Sequence, residues 1–185
     1  MGRTAIPRLF RVAGTRRGLC ALAALTLLSG AAMLPALRTM AGHGASVLAF
    51  EKAGSVARSE AILAEWGAPG KSAMWWQLAL DTPFLIGYGL FLAGACAAAA
   101  RRAGYAGRAR LAATGALLVW LGPTAAAADL LQNVSLAFVL SGRVEQPWPR
   151  ISALAGSVTT SLALIAAAFA IGASAFVRFA PRTVD

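Results

Sequence analysis

The chain has 185 residues, 58% of them apolar and only 13% charged, with a mean hydropathy of +0.67. A soluble domain carries roughly 45–50% apolar and about 25% charged residues, so these values exclude an ordinary water-soluble core, a disordered chain and a coiled coil. The net charge of +10 does not point to nucleic acid. The basic residues form blocks beside apolar stretches: Arg3, Arg8, Arg11, Arg16 and Arg17, then Arg101, Arg102, Arg108 and Arg110. Such placement orients a membrane protein, and no nucleic-acid partner is expected.

Four stretches are long enough to cross a bilayer, which takes about 20 apolar residues: about 19–37, 74–100, 111–140 and 151–177. The expected fold is all-α, a polytopic membrane protein built as a four-transmembrane-helix bundle, with 1–185 forming one membrane domain. Arg16 and Arg17 before the first stretch faintly resemble a twin-arginine export signal. A retained anchor fits better, because cleavage would leave three spans. Gly87, Gly94 and Ala98 are candidate helix-contact positions, and Pro83 and Pro123 are candidate kinks. Cys20 and Cys96 lack zinc or redox spacing, so packing is their expected role.

Both Arg-rich, acid-free segments, the N-terminal one and the loop between spans two and three, should be cytoplasmic. The 38–73 loop and the short 141–150 loop should then lie outside, with both termini cytoplasmic. Trp66, Trp75, Trp76 and Trp148 all fall at outer span ends, as an interfacial belt would. Within the outer loop, 46–66 lacks proline and places Val47, Phe50, Ala57 and Ala61 opposite Glu51, Lys52, Arg58 and Glu65. That pattern predicts one amphipathic helix on the outer membrane surface. The run Gly67-Ala68-Pro69-Gly70 then turns the chain into span two.

Two ionisable groups lie inside the spans, Asp81 and Asp129. Each costs about 2.5–3.5 kcal/mol at mid-bilayer on insertion scales, so such residues mark functional sites by default. Asp81 lies about 10 Å below the outer boundary at 1.5 Å per residue, Asn133 at about 10 Å and Asp129 at about 16 Å. Asp129 and Asn133, four residues apart, share a helix face; Gln132 points elsewhere. Ser29, Ser157, Thr160 and Ser161 fall at similar depth, which predicts a polar pocket in the outer half of the membrane. Two carboxyls in one low-dielectric site should not both carry charge. A protonated acid beside a carboxylate can deliver and retrieve a proton, with Asn133 orienting one member. Asp81, Asp129 and Asn133 are therefore the expected catalytic residues. Phe84, Tyr88, Trp120, Gln132 and Thr160 are the expected substrate-binding residues, though aromatic stripes also serve as packing. His43 sits beside the pocket mouth as a weak candidate proton relay; a solvated loop histidine is the blander reading. One histidine and two carboxyls fall short of the usual zinc sets. No metal and no cofactor is expected.

The segments Trp66-Gly67-Ala68-Pro69-Gly70-Lys71, Leu80-Asp81-Thr82-Pro83-Phe84, Tyr88-Gly89 and Ala128-Asp129-Leu130-Leu131-Gln132-Asn133 resemble a largely uncharacterised family of small bacterial four-span membrane proteins. Its members read G-x-x-G-R, L-D-x-x-F-P-x-x-Y-G and D-x-x-E-N. The chain departs from that pattern with Lys71 for Arg, Pro83 before Phe84, and Gln132 for Glu. The resemblance implies a multi-pass protein of the cell inner membrane and supports the site without supplying a reaction.

Three functions compete. The first is an acid–base enzyme that protonates a lipid or isoprenoid dissolved in the membrane, a chemistry that small membrane terpene cyclases share without sequence likeness. The second is a proton-coupled small transporter subunit, which would need a homo-oligomer to form a pathway. The third is a structural or accessory protein whose Asp residues clasp helices. Membrane lipid and a lipophilic small molecule are the expected partners. A closed pocket lined by Phe84, Tyr88 and Trp120 favours the enzyme, whereas polar residues continuing to the cytoplasmic side favour transport.

Overall fold

The computed structural model describes residues 6–179. Within them every regular element is an α-helix: α1 (Arg8–Ala13), α2 (Arg16–Gly42), α3 (Val47–Glu51), α4 (Val56–Tyr105), α5 (Ala109–Leu118), α6 (Leu121–Leu140) and α7 (Trp148–Phe179). Four segments are long and apolar enough to cross a membrane: α2, α4, α5 with α6, and α7. More than half of the most apolar window of α4 is buried (56%), against 17% for α2 and 11% for α7. The outward faces of the others are apolar too, with Leu27, Leu28, Leu130, Leu131, Leu164 and Ile171 all exposed.

Local sequence explains where the helices start and stop. The Gly18 N–H donates to Thr15 Oγ1 at 3.1 Å before α2, the Ala49 N–H to Ser46 Oγ at 3.3 Å in α3, and the Arg58 N–H to Ser55 Oγ at 3.3 Å at the start of α4. Each hydroxyl satisfies an otherwise orphan N–H in a first turn. Gly67 breaks α4 with φ 55° and ψ −156°, a conformation that a Cβ resists. The expected turn over 67–70 is thus one residue, and Pro69 already lies in the next helical turn. Pro123 ends the third span as a single helix. It lacks the N–H that would bond the Val119 carbonyl, and α5 and α6 separate at Val119 and Trp120.

The chain packs as two compact units. One comprises Leu25–Ile86 and Ala126–Thr160; the other comprises Gly87–Ala125 with the described residues up to Ala24 and from Ser161 onward. In the first unit, Met40 of α2, Phe50 of α3, Ile62, Trp66 and Met74 of α4, and Leu136 and Val139 of α6 form one core cluster. Trp66 is fully buried. Its indole Nε1–H donates to the Ala45 carbonyl at 2.7 Å, and its ring lies 4.8 Å from that of Phe50. It is not part of an interfacial belt, because an indole with its N–H satisfied inside the protein gains nothing from the water boundary. Trp75 and Trp76 are exposed, and Trp148 stacks on Phe138 at 4.3 Å.

The single amphipathic helix over 46–66 is also corrected. Gly54, at φ +67°, separates α3 from α4 and resets the helical phase. Ser59, Ile62 and Leu63 face inward while Ala57 and Ala61 are exposed. The second unit buries Phe10, Ala93, Cys96, Ala97, Val119 and Ala166 together. Trp120 packs edge-on against Phe10 at 5.1 Å. Arg101 donates to the Gly14 carbonyl at 2.8 Å and the Arg11 carbonyl at 3.4 Å, satisfying the end of α1. Gly94 serves as a contact position: a Cβ there would come 2.7 Å from the Ala13 carbonyl carbon.

Trp66→Phe should keep the ring contact with Phe50 and strand the Ala45 carbonyl, lowering stability by about 1 kcal/mol. Trp66→Ala should cost about 3–5 kcal/mol, as large-to-small core changes do. Thermal unfolding in detergent measures both, and equal losses would show that the hydrogen bond, not the ring, carries Trp66.

Candidate functional site

The polar residues of the first unit come from four helices, α3, α4, α6 and α7. Asp81, buried at 7% exposure, projects from α4. Asn133 Nδ2–H donates to Asp81 Oδ2 at 2.5 Å from α6. This pairing joins two residues 52 apart in the chain, at the depth where antiparallel helices bring them level. Gln132, one residue earlier on α6, is buried at 5% exposure. It faces away from Asn133, as the helical 100° step requires, and α7 opens space for it. A Cβ at Gly156 would come within 2.6 Å of Gln132 Oε1, so glycine is what lets this side chain fit.

The partner of Gln132 is a residue that sequence reasoning assigned to the wet face of the outer loop, Glu51. It is the last residue of α3, and its side chain is hydrogen bonded to Gln132. Its backbone is fixed as well, with Ser152 Oγ of α7 donating to the Glu51 carbonyl at 3.1 Å. Ser152 is itself buried. Phe50, stacked on Trp66, holds the preceding position. α3 therefore points its terminal carboxyl inward, where it feels the charges of Asp129 and Asp81.

The electrostatics follow from this placement. Burial, then Asp129, then Asp81 push the Glu51 carboxyl up to about 7, against smaller opposing effects from the Gln132 bond and Lys52. Desolvation penalises the charged form, and neighbouring carboxylates add repulsion. A group with this value exchanges a proton at neutral pH, which is what general acid–base chemistry requires.

The remaining expected site residues distribute as follows. Phe84 is half-buried one helical turn beyond Asp81, with Gly30 of α2 facing its ring. Tyr88 and Trp120 belong to the second unit, and Trp120 is 53% exposed. Thr160 is exposed, and its hydroxyl donates to the Gly156 carbonyl at 2.9 Å. Ser157 likewise donates to Ala153. Each of these bonds satisfies a carbonyl of its own helix, the common fate of helical hydroxyls. His43 is exposed, with Nδ1 2.7 Å from the Thr39 carbonyl. Ser29 is buried on α2. Among the described residues no group of three or more His, Cys, Asp or Glu has a metal-binding arrangement.

The Glu51 carboxyl binds its proton more tightly in the folded chain than in the unfolded one, whose ordinary value is 4.5. Folding stability should therefore fall as pH rises from about 4.5 to about 7, by at most about 1.4 kcal/mol per pH unit, and level off above that. Glu51→Gln should remove this slope and be the more stable protein at pH 8. Thermal unfolding across pH 4.5–8 decides it; parallel curves for the two proteins would show that Glu51 does not titrate in the core.

No family model, curated protein or solved structure matches the chain.

Proposed function

We propose that this chain is an integral membrane protein whose Glu51, Asp81 and Asp129 carry out acid–base chemistry on a lipid or isoprenoid dissolved in the bilayer. One observation carries the proposal: Gln132 bonds the Glu51 carboxyl where burial and the charges of Asp129 and Asp81 push it up to about 7. The sequences 74–86 and 126–140 that flank it contain no Lys, Arg or His. A helix-register clasp needs only the Asp81–Asn133 bond, and interhelical hydrogen bonds of that kind average about 0.6 kcal/mol in membranes. It has no use for a third acid brought in from a loop helix.

The exposed leucines and isoleucines of α2, α6 and α7 support lipid around the helices, because soluble monomers rarely expose contiguous apolar surface on this scale. The Arg blocks support cytoplasmic termini and α3 on the outer side of a membrane crossed several times. Reporter fusions after Glu60 and after Gly104 should report opposite compartments; the same compartment for both would sink this topology.

In the proposed reaction the Glu51 O–H bond breaks and a C–H bond forms at an alkene carbon, leaving a carbocation. Asp81, oriented by Asn133, removes a proton from a neighbouring carbon, and a new double bond forms. The proton that the aspartate gains is then exchanged with water, and Glu51 is reprotonated. Half-buried Phe84, on the Asp81 side of α4, supplies a ring face for the cation. Membranes containing the protein, incubated in D2O and analysed by mass spectrometry, should incorporate deuterium at carbon in an isoprenoid or unsaturated lipid. Glu51→Gln should lower incorporation at least a hundredfold, the general range for loss of an acid–base group, while Asp81→Asn should lose it with the fold intact. Equal incorporation by wild type and both variants would end the acid–base reading.

A further inference from the structure

Gln77 stands one helical turn before Asp81 on α4 and is 8% exposed. Its Oε1 is buried and has no hydrogen-bond partner. Residues four apart share a helix face, so Gln77 lies on the face that carries Asp81. The same face carries Met74 and Leu78, which pack in one cluster with Phe50, the residue before Glu51. The orphan amide oxygen therefore lies along the strip of α4 between the α3 contact and the Asp81–Asn133 bond. Buried acceptors in folded proteins are almost always paired. An open one is free to accept a donor from a bound molecule.

The neighbouring groups decide what kind of donor. Glu51 and Asp81 already receive amide N–H groups from Gln132 and Asn133. Gln77 offers a neutral acceptor among apolar side chains, which suits a neutral O–H on an otherwise apolar molecule. We propose that Gln77 Oε1 accepts a hydrogen bond from the hydroxyl of a long-chain or isoprenoid alcohol, and so selects hydroxylated lipids for this site. This inference rests on the acid–base reading for its location, but it concerns binding alone.

The test is equilibrium binding to the full-length protein in nanodiscs, read as thermal shift against lipid mole fraction. The probes are a C20 prenyl alcohol, its methyl ether and the parent hydrocarbon. A site built to bond a hydroxyl discriminates strongly against analogues that lack it. The alcohol should bind the wild type at least tenfold more tightly than the ether. Gln77→Met and Gln77→Leu should bring the alcohol down to the level of the ether and leave the ether unchanged. Equal affinity of alcohol and ether for the wild type would overturn the proposal, since water then satisfies Gln77. A preference that survives in both variants, or no binding of any probe, would overturn it too. Turnover is not measured, so a failed acid–base reading shows itself in the deuterium experiment and a failed alcohol site only here.

Discussion

A carboxyl taken out of water without a cation beside it can be held only by hydrogen bonds and by keeping its proton. Glu51 meets both conditions, and much of the first unit is arranged to bring it there. Gln132 bonds its side chain and Ser152 its carbonyl. Phe50 of α3 packs against Trp66, whose indole N–H donates to the Ala45 carbonyl just before α3 begins. Glycine at 156 leaves room for Gln132, and glycine at 54, with φ +67°, keeps α3 from running on into α4. Each is a small contribution of the order of 1 kcal/mol. Together they outweigh the tendency of the carboxyl to return to water, and they leave it with a proton that it can lose near neutral pH.

Much of the fold was legible in the sequence. Four long apolar runs can only be helices, and their antiparallel order fixed the depth at which Asp81 meets Asn133. Glu51 escaped because a charged residue on a loop helix reads as solvent-facing, although Val47, four residues earlier, shares its face. The signal lay in Gly54 followed by Ser55, a stop and an N-cap side by side, which divides the run and shifts the phase. Trp66 misled for a related reason: composition places tryptophan at a membrane boundary, whereas here its N–H has an internal partner. Thr160 and Ser157 share the depth of the site but not its direction, since depth along a helix says nothing about the face.

The two carboxyls seen first, Asp81 and Asp129, differ in what surrounds them. Asp81 has an amide partner on α6 and a buried seat on α4. Asp129 acts on Glu51 through space, one turn deeper than Asn133. An aspartate pair alone could be a clasp. Glu51 adds a third carboxyl, carried by a five-residue helix outside the long apolar helices.

Glu51 titrates near neutrality because burial, and then the charges of Asp129 and Asp81, disfavour its ionised form. Infrared difference spectroscopy of the carboxyl band, with 13C-labelled glutamate and a Glu51→Gln control to assign it, measures this directly. The account predicts a midpoint near pH 7 for Glu51 that moves down in Asp129→Asn, because one source of repulsion is gone. A midpoint near 4.5, unchanged by that substitution, would place Glu51 in water and contradict the account.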